Sequence, residues 1–504
     1  MKSNRETRFA TLSTLVVGSA VTAFIALWQV SPQVFSLEAQ AEDDAQWQPG
    51  LHSVECWFAH PADIEVDCAE LRTDPARGEF TLPVVVIRDN AADHKSDPLV
   101  YLSGGPGSSS FLENNNVEHW FYWAEIAKLS RDLVLVDQRG TGLSRPQFHC
   151  HDYEQFFRNT LRENLSLQQE HQAALQAINT CVEQMQAHGY SLDDYSTTHS
   201  ALDMDQALRA LGYEEWNVMG GSYGTRLALE WLRHNDRDIR AVILDSVYPL
   251  DKGSLADWPG LLHNSFSFFW QACENGTLCE EADKNLEEKF WRAMGVLKET
   301  PVTLSAPLWE GGWPVKAVIN DHRFLGMIYT ALYDDTLHPR IIEAIDEVLN
   351  GGGRKALQKL AENSVNSELA PEFNALIYLA VDCAESAMVS REEFEQSREQ
   401  YPQWSAYTEH AWQYDMCEPI ARRSDLTKFK QTVSSEVPVL ILSGGFDPVT
   451  PASWARELAD QLPNSQHWHL DRVGHGVVSS SACVHQAFGK FLDEPFEKYS
   501  LPCE

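Results

Sequence analysis

The stretch Trp216-Asn-Val-Met-Gly-Gly-Ser-Tyr-Gly-Thr-Arg226 narrows the choice of folds more than any other part of this 504-residue chain. A short apolar run ends in Gly220-x-Ser222-x-Gly224, and a helical pattern, Thr225 to His234, follows with no linker. A strand that turns at once into a helix leaves no room for side chains at the two glycines, and it lifts the serine hydroxyl above the sheet edge. The turn also places the Tyr223 amide at a helix N-terminus, where backbone N–H groups stabilise negative charge. Around this turn, strand-like runs alternate with helical stretches from Val84 to Gly142 and again from Trp216 to Val247. That alternation reads as a mostly parallel α/β sheet.

A serine at such a turn needs a base, and the base needs an acid to orient it. In an α/β-hydrolase the chain order is Ser…Asp/Glu…His, with the acid at the end of a late strand. Val437-Pro-Val-Leu-Ile-Leu-Ser-Gly-Gly-Phe-Asp447 reads as a buried parallel strand broken by two glycines. A helical stretch, Ala452 to Gln461, a short strand, His467-Trp-His-Leu470, and the turn Gly474-His475-Gly476 come next. Ser222 is therefore expected as nucleophile, His475 as general base and acid, and Asp447 as the group that orients the imidazole. Asp245, which ends the apolar run Ala241-Val-Ile-Leu, is the alternative acid, and His199 and His322 are the alternative bases.

An earlier glycine loop completes the set. Pro98-Leu-Val-Tyr-Leu-Ser103 reads as a strand, and Gly104-Gly-Pro-Gly107 follows it. In such folds this loop supplies a second oxyanion donor beside the amide of Tyr223. Pro106 has no N–H, so Gly105 is the expected donor, with Gly104 next. A further strand ends in Asp137-Gln-Arg-Gly-Thr-Gly142, where Asp137 and Arg139 are expected to pin the loop rather than react.

Together, Gly104-Gly-Pro-Gly107, Asp137-Gln-Arg-Gly-Thr-Gly142, Gly220-Gly-Ser-Tyr-Gly-Thr225, Gly445-Phe-Asp447-Pro-Val-Thr-Pro451 and Gly474-His475-Gly476 resemble the prolyl iminopeptidase and tripeptidyl aminopeptidase branch of the α/β-hydrolases. The resemblance spans roughly Phe80 to Gly476 and is thin in the middle. It implies removal of one to three residues from a peptide N-terminus, often at proline. Ser103 stands where prolyl iminopeptidases usually have histidine, which leans the match toward the tripeptidyl branch. An esterase or lipase-like hydrolase with the same triad is the alternative activity.

The expected organisation is a leader over residues 1–41, a first part of the hydrolase core over 42–248, a helical cap insertion over 249–436, and a second core part over 437–504. Lys2, Arg5 and Arg8 precede an apolar stretch from Phe9 to Val30, and Ala39-Gln-Ala41 offers a small-residue cleavage site. This reads as a cleaved signal peptide, with an uncleaved membrane anchor as the alternative. Either places the enzyme body outside the cytoplasm, in the periplasm or the medium. The ten cysteines contain no C-x-x-C, and an even count in an exported chain favours disulfides. Neighbour pairing gives Cys56 with Cys68, Cys150 with Cys181, Cys273 with Cys279, Cys383 with Cys417, and Cys483 with Cys503.

The formal charge of −34 argues against nucleic acid and anionic membranes as partners. Because the acids are spread along the chain, the reading favoured is solubility in a salty or extracellular medium; the alternative is a negative field that attracts the ammonium end of a peptide. No metal or nucleotide motif is present, so no cofactor is expected. The partner implied is a peptide with a free N-terminus, and oligomeric state is left open. A buried ammonium group needs carboxylates. Ala375-Leu-Ile-Tyr-Leu-Ala-Val-Asp382-Cys-Ala-Glu385 delivers two acids on one helix face, and it resembles a cysteine-and-acid segment in the cap of the tripeptidyl branch. Glu385, and then Asp382, are the expected substrate contacts. The alternative is a helix end tied down through Cys383.

Overall fold

A computed structural model describes residues 47–500, apart from 114–115, 280–284, 310, 312, 352, 388, 409–415, 418–419, 421–427 and 481. The leader reading and Cys503 lie outside these residues. The strands are β1 (Gly50–Val54), β2 (Val66–Arg72), β3 (Thr81–Ile87), β4 (Lys95–Leu102), β5 (Arg131–Val136), β6 (Trp216–Gly221), β7 (Ile239–Asp245), β8 (Val302–Ala306), β9 (Val315–Ile319), β10 (Val439–Gly444) and β11 (Ser465–Leu470). Nine of them form one sheet in the order β1-β2-β3-β5-β4-β6-β7-β10-β11. From β5 to β11 neighbours run parallel, while β1, β2 and β3 enter antiparallel at one edge.

The parallel strands are apolar on both faces because helices cover both. The pleat sorts the residues of these strands and of β3 strictly. Val84, Val86, Val100, Leu102, Val134, Val136, Val242 and Leu244 enter one core. Val85, Ile87, Leu99, Leu133, Leu135, Ala241 and Ile243 enter the other. Because β4, β6, β7 and β10 are parallel, their C-terminal ends meet along one edge. Gly104, Ser222, Asp245 and Asp447 follow or close these strands there, which is where open α/β sheets place their ligand sites.

The chain between β7 and β10 is mostly helical, and it divides by where its apolar residues go. The helices Trp258–Glu274, Leu286–Glu299, Asp321–Ala331, His338–Asn350 and Lys355–Glu368 build a separate core around Phe266, Phe290, Phe324, Ile341 and Leu360. This part also holds an antiparallel hairpin, β8 with β9, that a purely helical reading omits. The helix Ala375–Asp382 instead sends Leu376, Leu379 and Ala380 into a sheet-face core, beside Tyr223, Leu227 and Met204. Four of the neighbour cysteine pairs are joined: Cys56–Cys68, Cys150–Cys181, Cys273–Cys279 and Cys383–Cys417. Among the described residues no helix is long and apolar enough to cross a membrane.

Candidate active site

Ser222 sits between β6 and the helix Tyr223–His234 at φ 54° and ψ −122°. Such a backbone costs a side-chain-bearing residue on the order of 1–3 kcal/mol and needs its surroundings to enforce it. Ser222 N donates to Asp245 O at 2.9 Å, while Thr225 N and Thr225 Oγ1 donate to Ser222 O at 2.9 and 2.6 Å. The glycines are forced by contact. A Cβ on Gly220 would lie 2.3 Å from Gly224 O, and one on Gly224 would lie 2.1 Å from Leu102 O.

His475 Nδ1 donates to Asp447 Oδ2 at 2.9 Å. The Asp447 side chain is fully buried and also accepts from Val449 N, Thr450 N and Thr450 Oγ1 at 3.0, 2.8 and 2.6 Å. Burial pulls the His475 imidazole toward neutrality, but the charge and hydrogen bond of Asp447, with the charge of Asp245, outweigh it, and the net shift is upward from 6.5. His475 N donates to Tyr333 O at 2.9 Å, and the two rings meet edge to face at 5.1 Å. A Cβ on Gly474 would lie 2.4 Å from that same Tyr333 oxygen. The segment ending in Tyr333 therefore holds the histidine loop from above.

Asp245, the alternative acid, holds backbone instead. Its carboxylate accepts from Val477 N at 2.8 Å and Val478 N at 2.9 Å, and Ser246 Oγ accepts from Gly476 N at 2.9 Å. Since Ser222 N also bonds to Asp245 O, the end of β7 props the serine turn and the histidine loop together. His199 is paired with Asp194 O, and His322 with Glu170 and Asp321, so neither meets Asp447.

The glycine loop lies against the serine. A Cβ on Gly104 would come 3.1 Å from both Ser222 Cβ and Gly221 O, whereas Gly105, at φ 105°, crowds Gly107 N and Ser108 N. Gly104 is thus the glycine packed on Ser222, with Gly105 one step further along the loop. Tyr223 opens its helix, so its amide belongs to the first turn, whose N–H groups lack intrahelical acceptors. The loop is tied on two sides. Gln138 Nε2 donates to Ser103 O at 3.0 Å, and Ser110 N donates to Asp137 Oδ1 at 2.6 Å. Asn374 N donates to Gly107 O at 2.9 Å, and Ser109 N donates to Glu372 O at 2.8 Å. Asn374 then caps the helix Ala375–Asp382, and its side-chain amide reaches Gly140 O and Phe148 O. Asp137 also accepts from Leu143 N at 2.8 Å. Burial pushes its carboxyl up to about 7, against the pull of those two backbone bonds. Arg139 pairs with Asp203 and bonds Arg77 O and Asp194 O.

The acids from the inserted chain separate. Glu385 is 4 % exposed; Oε1 accepts from Thr197 N at 2.6 Å and Oε2 from Thr197 Oγ1 at 2.5 Å. Burial pushes its carboxyl up to about 7. Asp382 is buried and accepts from Tyr248 OH at 3.2 Å. Neither is open to solvent. Glu368, which sequence reasoning passed over, is. It ends the helix Lys355–Glu368 and is exposed, and the protein around it raises its carboxyl above the ordinary range. Burial, then the charges of Asp447 and Glu368, hold the Tyr333 hydroxyl above its usual value, which places Glu368 near the histidine's neighbour. No described residue makes a hydrogen bond or ion pair to the Glu368 carboxylate. No motif marks Glu368. Its only signal is its place at a helix end a few residues before Asn374. Of the aromatics in this part, Phe269, Trp270 and Trp404 are core, Trp309 and Trp313 are exposed, and Trp412 lies outside the described residues.

Two family models match the chain: the TAP-like protein family over residues 401–498 and the alpha/beta hydrolase fold over residues 97–273. The protein YuaR of Escherichia coli (strain K12) is 23 % identical over 430 residues, covering 82 % of this chain and 81 % of that protein. The tripeptidyl aminopeptidase of Streptomyces lividans is 23 % identical over 416 residues, covering 78 % and 74 %. The serine protease Hip1 of Mycobacterium tuberculosis (strain ATCC 25618 / H37Rv) is 29 % identical over 167 residues, covering 32 % and 31 %.

Proposed function

Starting from a chain that belongs to the prolyl iminopeptidase and tripeptidyl aminopeptidase family of α/β-hydrolases, we propose that it is an exported serine exopeptidase acting near the free N-terminus of peptides. The observation that carries the reading is the Asp447–His475 bond of 2.9 Å, in a loop that shares its support, the end of β7, with the strained turn of Ser222. In this reading Ser222 Oγ attacks the scissile carbonyl carbon while His475 Nε2 takes its proton. Asp447 holds Nδ1–H and stabilises the imidazolium that forms. The amides of Tyr223 and the Gly104–Gly105 loop receive the oxyanion. His475 then protonates the departing amine, and water releases the acyl group by the reverse route.

Four disulfides support an oxidising compartment. The choice of a peptide N-terminus over a simple ester rests on Glu368, an exposed carboxylate without a partner among the described residues, whose influence reaches Tyr333 beside His475 and which suits a substrate ammonium group. Asp382 is buried and accepts from Tyr248 OH. The deciding experiment is a panel of chromogenic peptide amides, free and N-acetylated, beside a short-chain ester. Faster cleavage of the free amides supports the proposal. Equal cleavage of free and acetylated amides, or a strong preference for the ester, moves the function to an esterase with the same triad.

A further inference from the structure

We infer that Glu385 is a positioning residue that acts through Thr197 to hold Tyr223, and with it the oxyanion-binding amide, in register. The inference rests on the serine-hydrolase reading of Ser222 and not on which substrate is cut.

Tyr223 is 1 % exposed, and it is held at both ends. Its backbone opens the elbow helix directly after Ser222, while its hydroxyl lies 2.7 Å from Thr197 Oγ1. Thr197 Oγ1 has a single proton, and that proton goes to Glu385 Oε2 at 2.5 Å. Its lone pair is then the acceptor for the Tyr223 proton. With Glu385 ionised, the order of donation is fixed: Tyr223 to Thr197 to Glu385. Thr197 N donates to the other carboxylate oxygen at 2.6 Å, which also seats the carboxylate at the N-terminal end of the helix Thr197–Ala210, where negative charge is favoured.

Glu385 therefore joins three elements: its own turn Cys383–Ala387, the helix Thr197–Ala210, and the elbow helix. The turn is fastened by the Cys383–Cys417 bond. The charged groups that face the carboxylate are Arg226 and Glu230, both on the elbow helix. A buried carboxylate is costly to keep unless it is hydrogen-bonded, and here both bonds come from Thr197, whose hydroxyl also meets the residue that follows the nucleophile. The ring of Tyr223 is the lever. If its hydroxyl loses its anchor, the first turn of the elbow helix can settle differently, and the amide beside Ser222 moves.

The test uses the full-length protein and a fluorophosphonate, whose phosphoryl oxygen needs the same donors as a substrate oxyanion, at pH 8.5, where Glu385 is ionised. Four variants are compared: Thr197→Val, which removes the hydroxyl at constant shape, Thr197→Ser, which keeps it, Tyr223→Phe and Glu385→Gln. Thr197→Val and Tyr223→Phe should slow the maximal inactivation rate about tenfold with the half-saturating concentration unchanged, Glu385→Gln should slow it less, and Thr197→Ser should restore it to within about threefold. Thermal melts identify any variant that fails to fold, and Tyr223→Phe alone then decides. Unchanged rates in Tyr223→Phe, a loss seen only in half-saturation, or a Thr197→Ser variant as slow as Thr197→Val overturns the inference. Labelling that survives in Ser222→Ala removes the hydrolase reading itself, a result separable from the others.

Discussion

The two stretches of chain inserted between β7 and β10 look alike in sequence, both helical and both bearing acids, yet they do different work. The first, through Glu368, packs around Phe266, Phe290 and Phe324 and keeps its own core. The second, from Asn374 onward, gives Leu376, Leu379 and Ala380 to the core under the sheet. An acid at the end of the first stretch is left exposed, as Glu368 is. Acids on the second are carried inward with the apolar residues around them, as Asp382 and Glu385 are. What separates them is the owner of the neighbouring apolar side chains, and local pattern does not record that.

The largest expected effect lies outside both stretches and sets their scale. Ser222→Ala should lower turnover at least about 10³-fold with the melting temperature held; retention of a tenth of wild-type activity would show that the sheet edge is not where the chemistry occurs. Core truncations then test the division directly. Phe290→Ala and Leu379→Ala, at positions 0 % and 1 % exposed, should each cost about 3 kcal/mol. Hydrogen exchange should show Phe290→Ala loosening the helices from Trp258 to Glu368 alone, while Leu379→Ala also loosens Tyr223–His234. Identical exchange patterns would merge the two stretches into one unit.

The buried acids give a pH signature. Glu385 has its folded-state carboxyl at about 7 against an ordinary 4.5. Between these values the unfolded chain has released the proton while the folded chain holds it. Stability therefore falls as pH rises through that window, by about 3 kcal/mol for one such group. Glu385→Gln should remove this part of the slope in denaturant titrations from pH 4.5 to 7.5. Asp137, also pushed to about 7, should preserve a comparable slope, and an unchanged total would mean that Glu385 is ionised throughout.

The exposed acid, Glu368, is expected to act on substrate instead. Glu368→Gln should narrow the preference for free over N-acetylated peptide amides about tenfold in kcat/KM. Glu343→Gln, on the exposed face of the helix His338–Asn350, should not. Loss of activity on both peptides equally would make Glu368 structural. The smallest effect is in the acid limb of kcat/KM. His475 must be neutral to accept the serine proton, and its pKa is raised from 6.5, so activity should begin to fall above pH 6.5 as the solution is acidified. A limb below 6.5 would mean that Asp447 does not hold the charged imidazole.

What could be read from residues alone was whatever the backbone enforces locally. Gly220 and Gly224 are required because a Cβ at either would meet a carbonyl oxygen, so Gly-x-Ser-x-Gly marks the turn wherever it occurs. The central strands β3 to β7 and β10 announced themselves because both their faces are buried. Asp447 and His475 followed from strand order. The hairpin β8–β9 was missed: Leu304 and Ala306 alternate with exposed positions and pair with Ala317 and Val315, but two strands of five residues give too short a period-two pattern to stand out among the helical stretches around them. Tertiary structure alone decided the rest. It turned Asp245 from a rival acid into the prop beneath both catalytic loops, packed Gly104 rather than Gly105 on the serine, buried Glu385 against Thr197, and left Glu368 open. Each of these depends on which distant backbone or side chain arrives within about 3 Å, and a contact between residues more than a hundred positions apart leaves no trace in the pattern around either one.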